Sequence, residues 1–294
     1  MPEPALLLQF LVNGVGVGCV YGLIGIGFCV IYNASGIVNF AQGAFVMLGG
    51  ILTQILMVRA GLGMLAAALV SIVLVAAGAA VIERLVIRPL WRRQATMFVM
   101  ILATLAVQIV LERLTLIAVG DAPLSLPAFT AGGPLRLGPV AISYQLLWIF
   151  ASSLLLVVLL GGFFARTRIG RAMRACAINP EAAALLGIPV ARLLTLAFAL
   201  SGALGAIAGI VVTPTQYTAY NVGVSFAISG FIAAIMGGFG NAAGAFLGGI
   251  MLGVAQSLAI VTFGAGTKNV VALAIMLGFL FLRPAGLLGT SKAT

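Results

Sequence analysis

Apolar residues run along this chain in long blocks broken by short polar islands, with neither the alternation of a half-buried strand nor the one-sided stripe of a soluble helix. The blocks fall at about 6–32, 38–58, 62–82, 96–118, 142–165, 191–213, 225–238, 243–263 and 268–283. A helix crossing the hydrocarbon core of a bilayer needs about 20 apolar residues, and most blocks approach or exceed that. The pattern predicts an all-α fold: a polytopic transmembrane helical bundle of eight or nine membrane segments in one domain over 1–294. The block at 225–238 is short, which fits a tilted span, a half-helix or a broken element running across Gly237-Gly238-Phe239-Gly240. The first block is long and glycine-rich enough to be interrupted. A membrane β-barrel would show alternating segments of about ten residues, and none occur.

Composition agrees: 63% of residues are hydrophobic, 7% are charged and the mean hydropathy is +1.27. Soluble domains carry charge on about a quarter of their residues. The net charge of +10 is spread over the ends of the apolar blocks, as expected of membrane topology and not of nucleic-acid binding, because Lys and Arg are retained in cytoplasmic loops. With nine crossings and the N-terminus outside, the cytoplasm receives Arg84, Arg88, Arg92, Arg93, Arg166, Arg168, Arg171, Arg174, Arg192, Arg283 and Lys292. Only Arg59, Arg113, Arg136 and Lys268 fall outside. The orientation of 166–192 is better fixed than the number of spans. The N-terminal stretch lacks the basic region of a cleaved signal peptide, so the first block is expected to stay as a span.

Chemistry inside the blocks is sparse. There is no histidine, and of the five acidic residues Glu83 stands beside Arg84 at a cytoplasmic border, Glu112 precedes Arg113, and Asp121 lies in a loop. Proton-driven carriers keep a carboxylate or histidine inside the bundle; Glu112 is the one candidate, and an interfacial ion pair with a neighbouring helix is the expected role. No phosphate-binding G-x-x-x-x-G-K-[ST] loop occurs. The glycine pattern at Gly238, Gly240 and Ala243 lacks the strand a dinucleotide site requires. No residue cluster suits a metal. The expectation is a protein that is not an enzyme, with no catalytic residue, no metal and no cofactor of its own. Cys19, Cys29 and Cys176 read as buried thiols.

Glycine and serine recur every fourth residue at Gly14, Gly18 and Gly22, at Ser201, Gly205 and Gly209, and at Gly240, Gly244 and Gly248. Such stripes let helix backbones approach in lipid; lining a polar path is the alternative use. Asn39 to Phe45 and Asn241 to Phe246 resemble each other, and each precedes a glycine pair. Tyr21, Asn39, Gln42, Thr104, Gln108 and Asn241 are placed to line a path, or equally to cap and pack helices.

The polar island at 166–192 holds five arginines and Glu181. Asn179 is a good N-cap, Pro180 suits a first helical position, Glu181 favours the first turn, and Gly187 with Ile188-Pro189 stops the helix. A two-turn helix from Pro180 to about Leu186 results. The arginines serve topology or a partner's surface.

Three stretches then carry a resemblance. Tyr21 to Gly50, Gly170 to Ile188 with Glu181, Ala182, Ala183 and Gly187 in the pattern of an EAA motif, and Gly237 to Gly249 are similar to the permeases of branched-chain amino acid ABC importers. The resemblance implies a multi-pass subunit of the bacterial inner membrane. It would pair with a second, related permease, two cytoplasmic ATPase subunits that hold ATP and magnesium, and a periplasmic binding protein. It also implies a coupling helix that docks on an ATPase through Glu181, Ala182, Ala183 and Gly187, with Arg171 and Arg174 beside it. The cargo implied is leucine, isoleucine, valine or another hydrophobic amino acid. Relatives of the type also carry urea, short amides or aromatic acids, and sugar permeases share the broad architecture. An ion-driven carrier is disfavoured by the missing carboxylates, and a passive channel leaves the loop unexplained.

Overall fold

The computed structural model describes residues 4–283 and 285–289; Lys292, assigned above to the cytoplasmic side, lies outside them. Helix α1 (Pro4–Ser35) runs 32 residues without the interruption its glycines allowed. Helices α2 (Gln42–Arg59) and α3 (Met64–Ile82) follow, and α3 continues through a π-helical stretch, Glu83–Ile87, into the short α4 (Arg88–Arg92). Helix α5 (Met97–Val119) leads to a small antiparallel hairpin, β1 (Leu135–Leu137) and β2 (Val140–Ile142). Then come α6 (Tyr144–Arg166), α7 (Arg168–Ile178), α8 (Pro180–Leu185), α9 (Val190–Gln216), α10 (Val222–Gly237), α11 (Ala242–Phe263), a 3-10 turn (Ala265–Thr267) and α12 (Lys268–Leu282).

Eight of these helical stretches are long and apolar enough to cross a membrane, and α10 is a shorter ninth. Helix α10 has 16 residues, about 24 Å at 1.5 Å per residue, which is short of a full crossing. It stops at the predicted glycines, where Gly238 and Gly240 take positive φ. The loop at 166–192 departs from expectation by holding two helices. Helix α7 forms because Gly170, Met173 and Cys176 fall on one buried face, leaving the arginines on the other.

The chain divides into two compact units, one of Met1–Ile26, Pro127–Val158 and Ser229–Thr294, the other of Gly27–Leu126 and Leu159–Ile228. In the first, α1 and α11 run antiparallel at glycine contacts. A Cβ added to Gly14 would meet Val254 Cα at 2.9 Å, one on Gly18 would meet Ile250 Cα at 2.6 Å, and one on Gly22 would meet Phe246 Cα at 3.0 Å. Gly237 and Gly244 bring α10 against α11 in the same way.

In the second unit α2, α3 and α9 form the core. A Cβ on Gly205 would lie 2.8 Å from Phe45 Cβ, one on Gly209 would lie 2.8 Å from the Val46 carbonyl carbon, and one on Gly202 would lie 2.7 Å from Ala79 Cβ. The Ser201 stripe is thus a packing face. Phe45, Val75, Ala79 and Ala206 fill the space around it. Association in lipid lacks the hydrophobic drive of water, so close backbone contact and its dispersion energy take over.

Candidate functional site

The loop between α6 and α9 is stiffened at every joint. Thr167 ends α6 by donating to the Phe163 carbonyl (2.7 Å) and starts α7 by accepting from Gly170 N (2.9 Å). Asn179 ends α7 and caps α8, its Oδ1 accepting from Ala182 N at 2.9 Å. Pro180 supplies no N–H at a position that needs none. At the far end Gly187 donates to the Ala184 carbonyl (2.9 Å) and Ile188 to that of Ala183 (3.1 Å). This pair of bonds closes a Schellman motif, which requires the left-handed backbone that Gly187 adopts at φ +81°.

Of the residues read from the sequence, Glu181, Ala182, Gly187, Arg171 and Arg174 are exposed, whereas Ala183 is turned inward as packing. Sequence reasoning missed three others. Leu185 is 90% exposed, Leu186 82% and Ile178 81%, an apolar knob on a polar loop. Three large apolar residues inside an arginine-rich island were the available signal. Behind the knob lies an open cavity of about 940 Å³, lined by Trp91, Met97, Met100, Glu181, Ala184 and Arg192 among others. Cys176 lies on the buried face of α7, and burial pushes its thiol above the usual range.

The start of α9 is clamped to the π-helical stretch. Glu83, at the border where the sequence suggested Arg84 as neighbour, is fully buried. It takes two bonds from Arg88, Nε to Oε1 at 3.0 Å and Nη2 to Oε2 at 2.9 Å, and a third from the Thr195 hydroxyl at 2.8 Å. Arg88 also donates to the Ala191 carbonyl at 3.0 Å. In a π-helix the backbone bond runs from i to i+5, which aligns residues 83 and 88; a helix read at 3.6 residues per turn would not pair them.

Four of the path candidates meet where α2 begins. The Asn39 side chain accepts from Ala41 N (3.1 Å), Thr104 Oγ1 from Phe40 N (3.1 Å) and Gln108 Oε1 from Ala44 N (2.7 Å). Gln42 donates to the Ser201 carbonyl (3.2 Å) and accepts from the Ser201 hydroxyl. These bonds satisfy backbone groups that a helix start leaves open and tie α2 to α5 and α9. Among the side-chain atoms of these four residues, only Asn39 Nδ2 is buried without a partner. Glu112 makes no ion pair among the described residues, contrary to expectation; its carboxylate accepts from Gln108 Nε2 at 2.8 Å. Asn241 is the N-cap of α11, accepting from Gly244 N at 3.0 Å and donating to the Leu288 carbonyl at 3.0 Å. Tyr21 is buried in α1, with the Lys268 ammonium 5.9 Å from its ring centroid. No cluster of metal-binding side chains occurs among the described residues.

Apolar spans joined by backbone-close glycines and a rigid loop between α6 and α9 define a multi-pass helical membrane protein. Its sequence matches, over residues 10–280, the family described as branched-chain amino acid transport system / permease component, and the chain belongs to that family. It is 36% identical to the high-affinity branched-chain amino acid transport system permease protein BraD of Pseudomonas aeruginosa, over 98% of each chain. It is 31% identical to the permease protein LivH of Escherichia coli K12, over 96% of this chain and 95% of that one. A probable branched-chain amino acid transport permease of Methanocaldococcus jannaschii is 28% identical over 91% of this chain and 88% of its own. No solved structure matches.

Proposed function

We propose that this chain is the membrane subunit of an ATP-driven importer for branched-chain or other hydrophobic amino acids in the bacterial inner membrane. Its partners in this reading are a second permease, two cytoplasmic ATPase subunits that hold ATP and magnesium, and a periplasmic binding protein that delivers the cargo. The observation that carries the reading is α8. A six-residue helix this short is unstable alone, yet here both ends are capped and Leu185 and Leu186 face outward. Such a rigid knob suits insertion into a groove on a moving partner. Glu181 and the exposed arginines Arg171 and Arg174 would orient it, since rim charges steer and register a contact more than they strengthen it. Movement of α8 passes through four residues into α9 and, by the Glu83–Arg88–Thr195 clamp, into α3.

The test is reconstitution of the complete importer in liposomes, with leucine uptake and ATP hydrolysis measured together. Leu185→Asp and Glu181→Lys should lower uptake at least tenfold while the subunit stays in the membrane and hydrolysis continues. Uptake at the parent rate in both variants would exclude α8 as the coupling element. Calorimetry of the binding protein against leucine, isoleucine, valine, urea and sugars fixes the cargo.

A further inference from the structure

Lys268 opens α12 directly after the 3-10 turn. With nine crossings, α10 counted among them, charge bias puts this turn outside, where a lysine would be expected to reach into water. Its ammonium instead lies over the ring of Tyr21, a residue only 2% exposed. The first unit contains no Asp or Glu among its described residues, and the one ion pair among the described residues is Glu83–Arg88. No described carboxylate of its own unit pairs with Lys268. It also stands at the positive end of a helix dipole, where a cation is disfavoured and an anion is welcome.

A second observation comes from α11. Gln256 is 2% exposed, and neither its amide nitrogen nor its amide oxygen has a partner. Thr267, the residue before Lys268, donates its hydroxyl to the Gly264 carbonyl at 2.8 Å and lies 3.5 Å from the Ala259 carbonyl. Gln256 lies three residues, about one turn, from that contact on the same helix. Lys268 is half-buried with no ion pair among the described residues, and the Gln256 amide is fully buried; polar groups held so in a membrane protein are costly and kept for use.

We propose that Lys268 and Gln256, with Tyr21 as the wall beneath the ammonium, form a receiving site for the carboxylate of the transported solute. The inference rests on the amino-acid import reading above and names the groups that meet the solute's charge. Lys268 supplies the counter-charge, and the Gln256 amide offers a donor to the carboxylate and an acceptor to the α-ammonium. A lipid phosphate shares the anionic chemistry, but the buried ring under Lys268 favours a solute entering the bundle.

The experiment uses the complete importer in liposomes with its binding protein, read as leucine uptake, ATP hydrolysis and subunit assembly. Lys268→Met should lower maximal uptake at least tenfold with assembly and basal hydrolysis unchanged, Lys268→Arg should keep at least a third of the rate, and Gln256→Leu should lose threefold or more. Lys268→Cys guards against a folding defect. Ethylammonium methanethiosulfonate restores a positive charge at that position and should restore uptake, since the three native cysteines are buried. Leucine-loaded binding protein, with ATP turnover blocked, should slow this labelling at least threefold; unchanged labelling would point to a lipid partner and overturn the assignment. Parent uptake in Lys268→Met, or no recovery on labelling, would overturn it as well. A parent importer that takes up no leucine would overturn the import reading and this inference with it.

Discussion

Replacing Arg88 with Met strands a carboxylate that has nowhere to find water. The Glu83 side chain is fully buried, while that of Arg88 is 22% exposed, so the two halves of the pair are unequal. Removing one partner of a buried pair costs about 3–5 kcal/mol because the other charge is left uncompensated, and Arg88→Met should fall in that range. Glu83→Gln leaves a guanidinium that reaches solvent and still donates to the Ala191 carbonyl, so its cost should be nearer 1–3 kcal/mol, that of a lost charged hydrogen bond. The double change Glu83→Leu with Arg88→Met removes both charges and should come within about 2 kcal/mol of the parent, since apolar replacements of buried pairs are often neutral. At about 2 °C per kcal/mol for a chain of this size, Arg88→Met should melt roughly 6–10 °C lower. Thermal unfolding in detergent, followed with a thiol-reactive dye that reports exposure of the buried cysteines, reads this directly. A melting point for Arg88→Met within 1 °C of the parent, or a double variant as unstable as the two singles added together, would refute the clamp.

Three further outcomes follow from the geometry. Gly187→Ala places a Cβ in open space, with no atom within 4 Å, so its only cost is the left-handed backbone, about 1–2 kcal/mol; proteolysis or hydrogen exchange around 185–188 should speed up about 5–30-fold. Gly209→Val drives a side chain into the backbone of α2 near Val46 and should abolish a monodisperse subunit in detergent, whereas Gly78→Val, with open space around it, should purify normally. The Cys176 thiol is raised by burial and the thiolate is the reactive form. Iodoacetamide should therefore label it far more slowly than a free cysteine at pH 7, with the rate climbing as pH rises and jumping on unfolding in SDS.

The spans were legible because an apolar block has only one way to satisfy its backbone in lipid, as a helix. The limits of α8 were legible because Asn179, Pro180 and Gly187 are chemical signals for particular backbone geometries. Helix α7 was hidden by its arginines, although Gly170, Met173 and Cys176 already spelled its inner face. The pairing of Glu83 with Arg88 was hidden because it depends on a π-helical turn that no residue announces. The polar residues around α2 illustrate a deeper limit. Asn39, Gln42, Thr104 and Gln108 are buried as their positions suggested, but whether a buried amide serves a backbone N–H or a passing solute depends on neighbours more than 60 residues away in the chain.

Glycine contacts between α2 and α9 also set how force would travel. Where side chains separate two helices, rotamers can shift and absorb a displacement of a few tenths of an ångström. Here Gly205 and Gly209 leave backbone against its neighbour, and such a joint has no soft layer to compress. Helix α9 is 27 residues long, about 40 Å from end to end. A push delivered at Val190 is therefore conveyed along a stiff strut to α2 with little damping, so the smallest side chains in this protein make its most faithful mechanical linkage.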